Sequence, residues 1–186
     1  LEIHAPMSRA GHMETPSMLV YDLDPGKDTG MAECCQIAQL LVEVLDAVGL
    51  QAWPKTSGSK GLQVYVPLNT PHTHHHVSAF AKATGQLLER DRPTQITTTM
   101  GARNRVGKVL IDWSQNSRHK TTIAPYSLRA KPNPTASTPI TWDEVDAGAD
   151  GAPLSFEADI VLKRVSEIGD LFAPTVALEQ TLPGTA

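Results

Sequence analysis

Short apolar runs and helical repeats alternate along the first half of the chain. Residues 18–24, MLVYDLD, form an apolar run of strand length, and residues 62–68, LQVYVPL, alternate as a half-buried strand does. Residues 31–48 instead carry apolar side chains three and four positions apart, and Gly49 follows them. This half of the chain therefore predicts a strand, a helix that ends at Gly49, and a second strand.

The second half continues the mixture of elements. Residues 73–90 predict a helix that ends at an Arg-Pro pair, and residues 107–114, GKVLIDWS, predict a strand. Residues 121–130 predict an extended segment interrupted by Pro125. The other segments are predicted as a short extended piece at 50–54, a loop at 55–61, a β-branched strand at 95–99, a proline-rich loop at 131–139, a short helix beginning within 140–145, a surface turn at 146–153 and a terminal helix at 160–171. Strands and helices without a strict strand-helix-strand rhythm indicate the α+β class.

Length and composition favour one ordinary globular domain. The chain has 186 residues, 40% of them hydrophobic, and we expect residues 1–186 to form a single domain with a loosely held tail at 174–186. No apolar stretch approaches the roughly 18–20 residues that a membrane-spanning helix needs. Cys34 and Cys35 are adjacent and have no partner elsewhere, so a disulfide framework is excluded and a reducing, cytoplasmic setting is expected.

Basic residues are concentrated although the chain is acidic overall. The formal net charge is -4, yet the stretch from Gly101 to Lys131 holds seven basic residues and a single acid, Asp112. Such a concentration favours a surface that binds phosphate groups. The alternative is an arginine- and lysine-rich face exposed to solvent.

Two acids one residue apart end the first predicted strand. Side chains of a strand alternate between faces, so Asp22 and Asp24 project together on one face while Tyr21 and Leu23 point to the other. Two carboxylates on one face repel each other unless a cation lies between them, and Mg²⁺ and Mn²⁺ prefer such oxygen ligands. The pair therefore predicts a divalent metal site. The alternative is that both acids belong to ordinary Asp-Pro-Gly turn chemistry.

A third acid and a loop of small residues extend the metal-site hypothesis. Asp112 lies late in another apolar strand, where an acid is uncommon unless it is paired or binds a metal. Two acids on one strand and one on a distant strand are the layout of a two-metal nucleotidyl-transfer site. The loop TSGSKG, residues 56–61, offers backbone N–H groups, hydroxyls and Lys60 to phosphates, although it is not a Walker loop.

The order of the motifs is specific. The strings LEIH, LVYDLDPG, TSGSKGLQVYVPL, GKVLIDWSQN, KTTIAPYSLRA and STPITWDEV follow one another along the chain. In this order they closely resemble the polymerase domain of bacterial ligase D and its stand-alone relatives, members of the archaeo-eukaryotic primase superfamily. The resemblance runs from Leu1 to about Val145. It implies a primase-like catalytic core with a mixed β-sheet flanked by helices.

The resemblance also implies roles for individual residues. Asp22, Asp24 and Asp112 match the metal-binding catalytic carboxylates of the family. The residues that match or adjoin its nucleotide contacts are His4, Ser57, Gly58, Lys60, Gly61, Gln63, Gln115 and Arg129. Arginine and histidine side chains near phosphates stabilise the charge that develops as pyrophosphate leaves.

The implied activity is template-directed nucleotidyl transfer with two divalent ions, Mn²⁺ or Mg²⁺. Polymerases of this family fill gaps and extend ends during double-strand-break repair by non-homologous end joining, and they often accept ribonucleotides. The expected partners are DNA with gaps or broken ends, nucleoside triphosphates, a DNA ligase and an end-binding protein. No membrane partner is expected.

Two departures from the family pattern bear on activity. The family's loop commonly reads SGxKGxH, and Gln63 occupies the histidine position; glutamine donates a neutral hydrogen bond but carries no charge. Family members also have a further N-terminal portion, with basic positions that grip DNA, ahead of LEIH. Both departures favour the alternative of a catalytically weak nucleotide- or DNA-binding module. A DxD phosphohydrolase is a second alternative, although such enzymes usually have Thr or Val where this chain has Gly26.

Overall fold

The structure, a computed structural model, describes residues 1–132 and 134–184. Its strands are β1 (His4–Ala5), β2 (Met18–Pro25), β3 (Trp53–Thr56), β4 (Leu62–Pro67), β5 (Ile96–Thr97), β6 (Val109–Asp112) and β7 (Thr122–Ile123). One sheet has the order β3-β4-β2-β6-β5, and β1 pairs with β7 in a separate two-stranded sheet. β5 runs parallel to β6, whereas the other neighbours in the larger sheet are antiparallel. β2, which carries the paired acids, is therefore the central strand.

Helices cover one face of the larger sheet. They are α1 (Met31–Ala47), α2 (His74–Asp91), α3 (Trp142–Ala149) and α4 (Ala158–Ile168). Leu19, Tyr21 and Leu23 of β2 are fully buried in one core cluster with residues of α1 and α2. Alternation along β2 leaves Asp22 and Asp24 on the opposite face, away from this core. The predicted α+β class is confirmed, and among the described residues no helix has the length and apolarity needed to cross a membrane.

Strand β3 lies further along the chain than predicted. Residues 50–54 are predicted as extended and 55–61 as a loop, but β3 runs to Thr56 in antiparallel register with β4. Lys55 opposes Gln63 in this pairing. The loop prediction is wrong for the first two of its residues, because pairing with β4 and burial outweigh the local turn-like composition.

The strand predicted at 107–114 ends at Asp112. The Asp112 carboxylate accepts a backbone hydrogen bond and caps the 3₁₀ turn Trp113–Asn116 that follows. Asn116, which is fully buried, accepts a hydrogen bond from the N–H of Val20 and donates one to its carbonyl, both at 2.8 Å. The Asn116 side chain thereby completes the hydrogen bonding of β2 beyond the point where β6 ends.

The later elements also differ from prediction. The predicted surface turn at 146–153 begins as the last part of α3, whose start is fixed by a capping box between Thr141 and Glu144. The extended segment at 121–130 is a strand only in β7. The terminal helix predicted at 160–171 is α4, which begins earlier and ends at a glycine with a φ of 77°.

The described part of the predicted tail, residues 174–184, contacts the body of the domain. The Gln180 side chain accepts a hydrogen bond from the Gln51 N–H at 2.7 Å and donates to the carbonyl of Pro67 at 2.8 Å. Leu182 is 1% exposed and belongs to the core cluster. Residues 185 and 186 of the predicted tail lie outside the described residues.

Candidate active site

A row of polar side chains crosses four neighbouring strands on the face away from α1 and α2. Lys55 of β3 opposes Gln63 of β4, Gln63 opposes Asp22 of β2, and Asp22 opposes Asp112 of β6. Asp24 lies two residues beyond Asp22 and faces the same side. The antiparallel strand order therefore brings the three predicted carboxylates to adjacent positions.

Burial and mutual repulsion make negative charge costly at this site. Asp22 reaches the cavity surface but is densely surrounded by protein atoms, and this loss of solvent raises its pKa to about 7. The charge of Asp24 adds to the shift, whereas Gln63 and Lys55 oppose it. Burial also raises the pKa of Asp24, against the opposing effect of Arg105. A cation bound by the carboxylates would relieve both shifts.

Protein donors hold the other carboxylates. Asp112, 6% exposed, accepts hydrogen bonds at Oδ1 from the backbone N–H and hydroxyl of Ser114, at 2.8 and 2.7 Å. Its Oδ2 accepts from the Gln115 amide at 3.0 Å. Asp24 Oδ2 lies 3.6 Å from the guanidinium of Arg105. Asp112 is thus held by protein donors on both oxygens, whereas Asp24 has one ion-pair contact and still lines the cavity.

The carboxylates of this site suit a hard divalent ion, although they are not arranged around one point. Within residues 1–132 and 134–184, no group of three His, Cys, Asp or Glu side chains is arranged to hold a metal ion. Asp22, Asp24 and Asp112 nevertheless supply the carboxylate oxygens that Mg²⁺ and Mn²⁺ prefer, and desolvation, followed by the charge of Asp24, raises the pKa of Asp22, a penalty that a bound cation would relieve. A carboxylate can accept a hydrogen bond and bind an ion at the same time, so sharing one ion would require the three side chains to move closer together but not to lose these donors.

The loop between β3 and β4 packs tightly around the Ser57 hydroxyl. Ser57 Oγ accepts a hydrogen bond from the Gly61 N–H at 3.2 Å. Gly58 has a φ of 65°, and a Cβ added there would lie 2.8 Å from the backbone of residues 136–137. A Cβ added at Gly61 would lie 2.5 Å from the carbonyl oxygen of Leu23 in β2. Gly61 therefore lets the loop lie directly beside the strand that carries the acids, and Gly58 lets it pack against residues 136–137.

A cavity of about 390 Å³ opens at this end of the sheet. The predicted site residues that line it are His4, Asp22, Asp24, Ser57, Lys60, Gly61, Gln63, Gln115 and Arg129. Asp112 opposes Asp22 without lining the cavity, and Gly58 packs against residues 136–137 instead. A larger cavity of about 950 Å³, between α1, β3 and α3, contains none of the predicted site residues.

Glu2 positions two basic groups at the cavity. Its Oε2 lies 3.1 Å from His4 Nε2, and its Oε1 lies 3.2 Å from Arg129 Nε. A backbone hydrogen bond from Ala130, followed by the contact with His4, lowers the pKa of Glu2. The N-terminal strand and the SLRA segment are thus tied together beside the carboxylates.

Arg105 is a site residue that the sequence reasoning missed. It lines the cavity, and its only sequence signal is membership of the basic stretch between Gly101 and Lys131. Among the described residues, no hydrogen-bond partner reaches the buried atoms Arg105 Nε, Gln115 Oε1 or Arg129 Nε. Arg129 Nε has the ion-pair contact with Glu2, and the Arg129 Nη1 group donates to the Ser57 carbonyl at 3.3 Å. The two guanidinium groups favour a ligand with anionic oxygens, and the Gln115 oxygen favours a ligand that also carries a hydrogen-bond donor.

Comparisons with known proteins agree with this geometry. The family model described as LigD, primase-polymerase domain, matches residues 1–172. The chain is 44% identical, over 94% of its length, to the multifunctional non-homologous end joining protein LigD of Mycolicibacterium smegmatis, and 32% identical, over 91% of its length, to the bifunctional non-homologous end joining protein LigD of Bacillus subtilis. It spans only 23% and 27% of the lengths of these relatives.

One solved structure resembles the chain closely. It is the polymerase domain from Mycobacterium tuberculosis ligase D in complex with DNA, with a TM-score of 0.84 and 41% sequence identity. The similarity covers 92% of this chain and 61% of that one. The predicted primase-like core is therefore confirmed.

Proposed function

The chain belongs to the LigD primase-polymerase domain family, and on that premise we propose that it transfers nucleotides from nucleoside triphosphates to a DNA 3′-hydroxyl under the direction of a template. One observation carries the proposal. Carboxylates from β2 and β6 adjoin a cavity that is also lined by Lys60, Arg105 and Arg129. Nucleotidyl transfer requires carboxylates that bind metal ions and, beside them, lysine and arginine side chains that bind phosphates.

Asp22, Asp24 and Asp112 would hold the metal. The family is metal-dependent, and we propose two divalent ions, Mn²⁺ or Mg²⁺, for this chain. When bound, such ions lower the pKa of the attacking hydroxyl and neutralise charge on the triphosphate. The protein's own contribution is to keep Asp22 in a desolvated strand position, where its attraction for a cation is strong.

The basic and small residues around the cavity would bind the triphosphate. Ser57, Gly61 and Lys60 belong to one loop, so their donors can act on the same phosphates. Arg129 and His4 approach from the opposite segment and would stabilise the charge on the departing pyrophosphate. The unsatisfied Gln115 Oε1 would accept a hydrogen bond from the nucleotide.

The relatives suggest the biological setting. Their names assign them to non-homologous end joining, and the similar solved domain is in complex with DNA. We therefore propose gap filling and end extension at double-strand breaks, with ribonucleotides accepted and with a DNA ligase and an end-binding protein as partners. The family match leaves no support for the DxD phosphohydrolase alternative.

A catalytically weak binding module is the second candidate. The observation that favours it is the engagement of Asp24 by Arg105 and of Asp112 by Ser114 and Gln115. If these contacts keep Asp24 and Asp112 from sharing an ion with Asp22, the cavity would bind nucleotide without turnover.

Primer extension on a short gapped duplex tests the proposal. The assay contains Mn²⁺ and labelled ribonucleotides, and it compares the unmodified chain with Asp112→Asn and with the control Asp91→Asn, an exposed acid at the end of α2. We expect Asp112→Asn to lose on the order of 100-fold or more of the product and Asp91→Asn to lose none. Equal product from all three proteins would contradict the proposal. No product from the unmodified chain, with nucleotide binding retained, would support the binding module.

A further inference from the structure

The polar row across the sheet contains a lysine that the proposed chemistry does not use. Lys55 is 0% exposed and does not line the cavity of the candidate site. Its Nζ lies 2.6 Å from Gln63 Oε1 and 2.6 Å from Ser137 Oγ, and 5.4 Å from the centre of the Tyr65 ring. Burying a lysine amine is unfavourable unless it is paired, so this position requires an explanation.

The chemistry of the lysine fixes the orientation of the neighbouring amide. Burial lowers the pKa of Lys55 to about 7, and the protonated ammonium has only donors, so in that form the Gln63 atom at 2.6 Å is the carbonyl oxygen. The Tyr65 hydroxyl lies 3.4 Å from the same oxygen and 2.6 Å from the Thr122 hydroxyl. The amide NH₂ group of Gln63 must therefore point the other way.

The other side of Gln63 is occupied by Asp22. The two residues are directly opposed in the register of β2 and β4, and the Gln63 side chain acts to lower the pKa of Asp22, the direction expected when an amide NH₂ group faces a carboxylate. If the amide turned around, its oxygen would face a carboxylate and the two would repel each other. The contact with Lys55 thus selects the one orientation of Gln63 that can donate to Asp22.

We propose that Lys55 is a positioning residue for the reaction: through the Gln63 amide, it holds the Asp22 carboxylate ready for a divalent ion. The inference rests on the proposed function, since it assigns Asp22 to metal binding. Asp22 on β2 is thus oriented by Gln63 on β4, and Gln63 is oriented by Lys55 on β3. Residues that orient metal ligands typically change metal affinity or activity by about 10- to 100-fold when they are removed.

Direct measurement of Mn²⁺ binding tests the inference without relying on turnover. Free Mn²⁺ is followed by electron paramagnetic resonance during titration of the unmodified chain and Lys55→Met, which has similar length but no donor. We expect the variant to bind Mn²⁺ about 10-fold or more weakly, with a fall in kcat and little change in the nucleotide KM. Lys55→Val, suited to a strand, is a second donor-free variant should the methionine variant not fold.

Two further variants separate positioning from general support of the fold. Ser137→Ala removes the other acceptor of Lys55; within the described part of the chain, Ser137 makes no hydrogen bond to Asp22 or Gln63, so the substitution should destabilise the fold without weakening Mn²⁺ binding. Gln63→Leu should weaken Mn²⁺ binding as Lys55→Met does, and the double variant should lose little more than either single one. Additive losses in the double variant would overturn the inference.

The outcomes also distinguish this inference from the proposed function. Unchanged Mn²⁺ affinity in a folded donor-free variant would overturn the role of Lys55 even if primer extension succeeds. Mn²⁺ binding that depends on Lys55, in a chain that extends no primer, would support the inference and contradict the proposed activity. Absence of Mn²⁺ binding by the unmodified chain would overturn both.

Discussion

Asp22 lowers the stability of the metal-free fold and is also a candidate metal ligand. Its carboxylate is placed where protein atoms exclude solvent and where Asp24 repels it, so its pKa rises to about 7. An ordinary aspartate is fully charged well below that pH. Charging Asp22 in the metal-free fold is therefore unfavourable, and a bound cation would reverse that penalty.

Replacing Asp22 by asparagine should stabilise the metal-free protein in a pH-dependent way. The folded-state pKa is raised, so the stability associated with Asp22 is fully present below about pH 4 and is lost as the pH rises through about 7. We expect Asp22→Asn to increase the free energy of unfolding by about 1–3 kcal/mol near pH 8 and by almost nothing near pH 4. Urea unfolding in the presence of a chelator measures both values. An equal gain at the two pH values would show that packing, and not charge, is responsible.

The residues of the site differ in how far the sequence reveals them. Asp22 and Asp24 could be predicted because strand alternation puts them on one face, and Asp112 because an acid late in an apolar strand is unusual. Lys55 could not, since it falls at the start of the predicted loop 55–61 and its partners, Gln63 and Ser137, come from two other segments. Arg105 was likewise hidden among other basic residues. Their roles depend on strand register, which local composition does not specify.

At the scale of elements, the Asn116 side chain provides hydrogen bonds to β2 that a neighbouring strand would otherwise provide. β6 ends at Asp112, and the Asn116 amide then bonds both backbone groups of Val20 in β2. The 3₁₀ turn that carries Asn116 also contains Gln115, which holds Asp112. One short turn thus closes the edge of the central strand and orients a candidate metal ligand.

Asn116→Ala should therefore be strongly destabilising. The substitution leaves the N–H and carbonyl of Val20 buried without partners, and such groups cost about 1–3 kcal/mol each. We expect the free energy of unfolding to fall by about 2–4 kcal/mol. Thermal or urea unfolding provides the value, with Asn104→Ala as the control because Asn104 is exposed and bonds only within its own turn. A loss no larger than that of the control would refute this account of Asn116.

Elements were predictable where local signals and packing agree. The apolar repeat of α1 and the alternation of β4 gave bounds within one residue of the observed ones. The ends failed where tertiary contacts decide: β3 continues because β4 pairs with it, and α3 continues because Val145 and Gly148 pack inward. The capping box of α3 was present in the sequence, but it marks only where a helix begins.

At the scale of the whole molecule, charge is unevenly divided. Seven of the sixteen basic residues lie between Gly101 and Lys131, and two of them, Arg105 and Arg129, line the 390 Å³ cavity. The larger cavity between α1 and α3 is instead lined by the acids Glu43, Asp46 and Asp146. A polyanion should therefore approach the molecule from the candidate-site side.

DNA binding by this chain should weaken steeply with salt. Each lysine or arginine that neutralises a phosphate adds about one to the slope of log affinity against log salt concentration. We expect Arg103→Ala and Lys120→Ala, exposed members of the basic stretch, each to reduce that slope. Lys163→Ala, on α4 and paired with Glu167, should leave it unchanged. Fluorescence anisotropy with a gapped duplex at several salt concentrations gives the slopes. Identical slopes for all three variants would contradict the prediction that the basic stretch contacts DNA phosphates.

The central position of β2 has a consequence for synthesis of the chain. β2 and β4 are made early, so they can pair on the ribosome, but the other edge of β2 waits for β6 and the Asn116 turn. Until then, a strand with a strongly apolar face has an open edge, which is a hazard for misassociation between nascent chains. Addition of β6 protects that edge and delivers Asp112 in a single step. Metal added during translation should therefore bind a nascent chain only after residue 116 has left the exit tunnel.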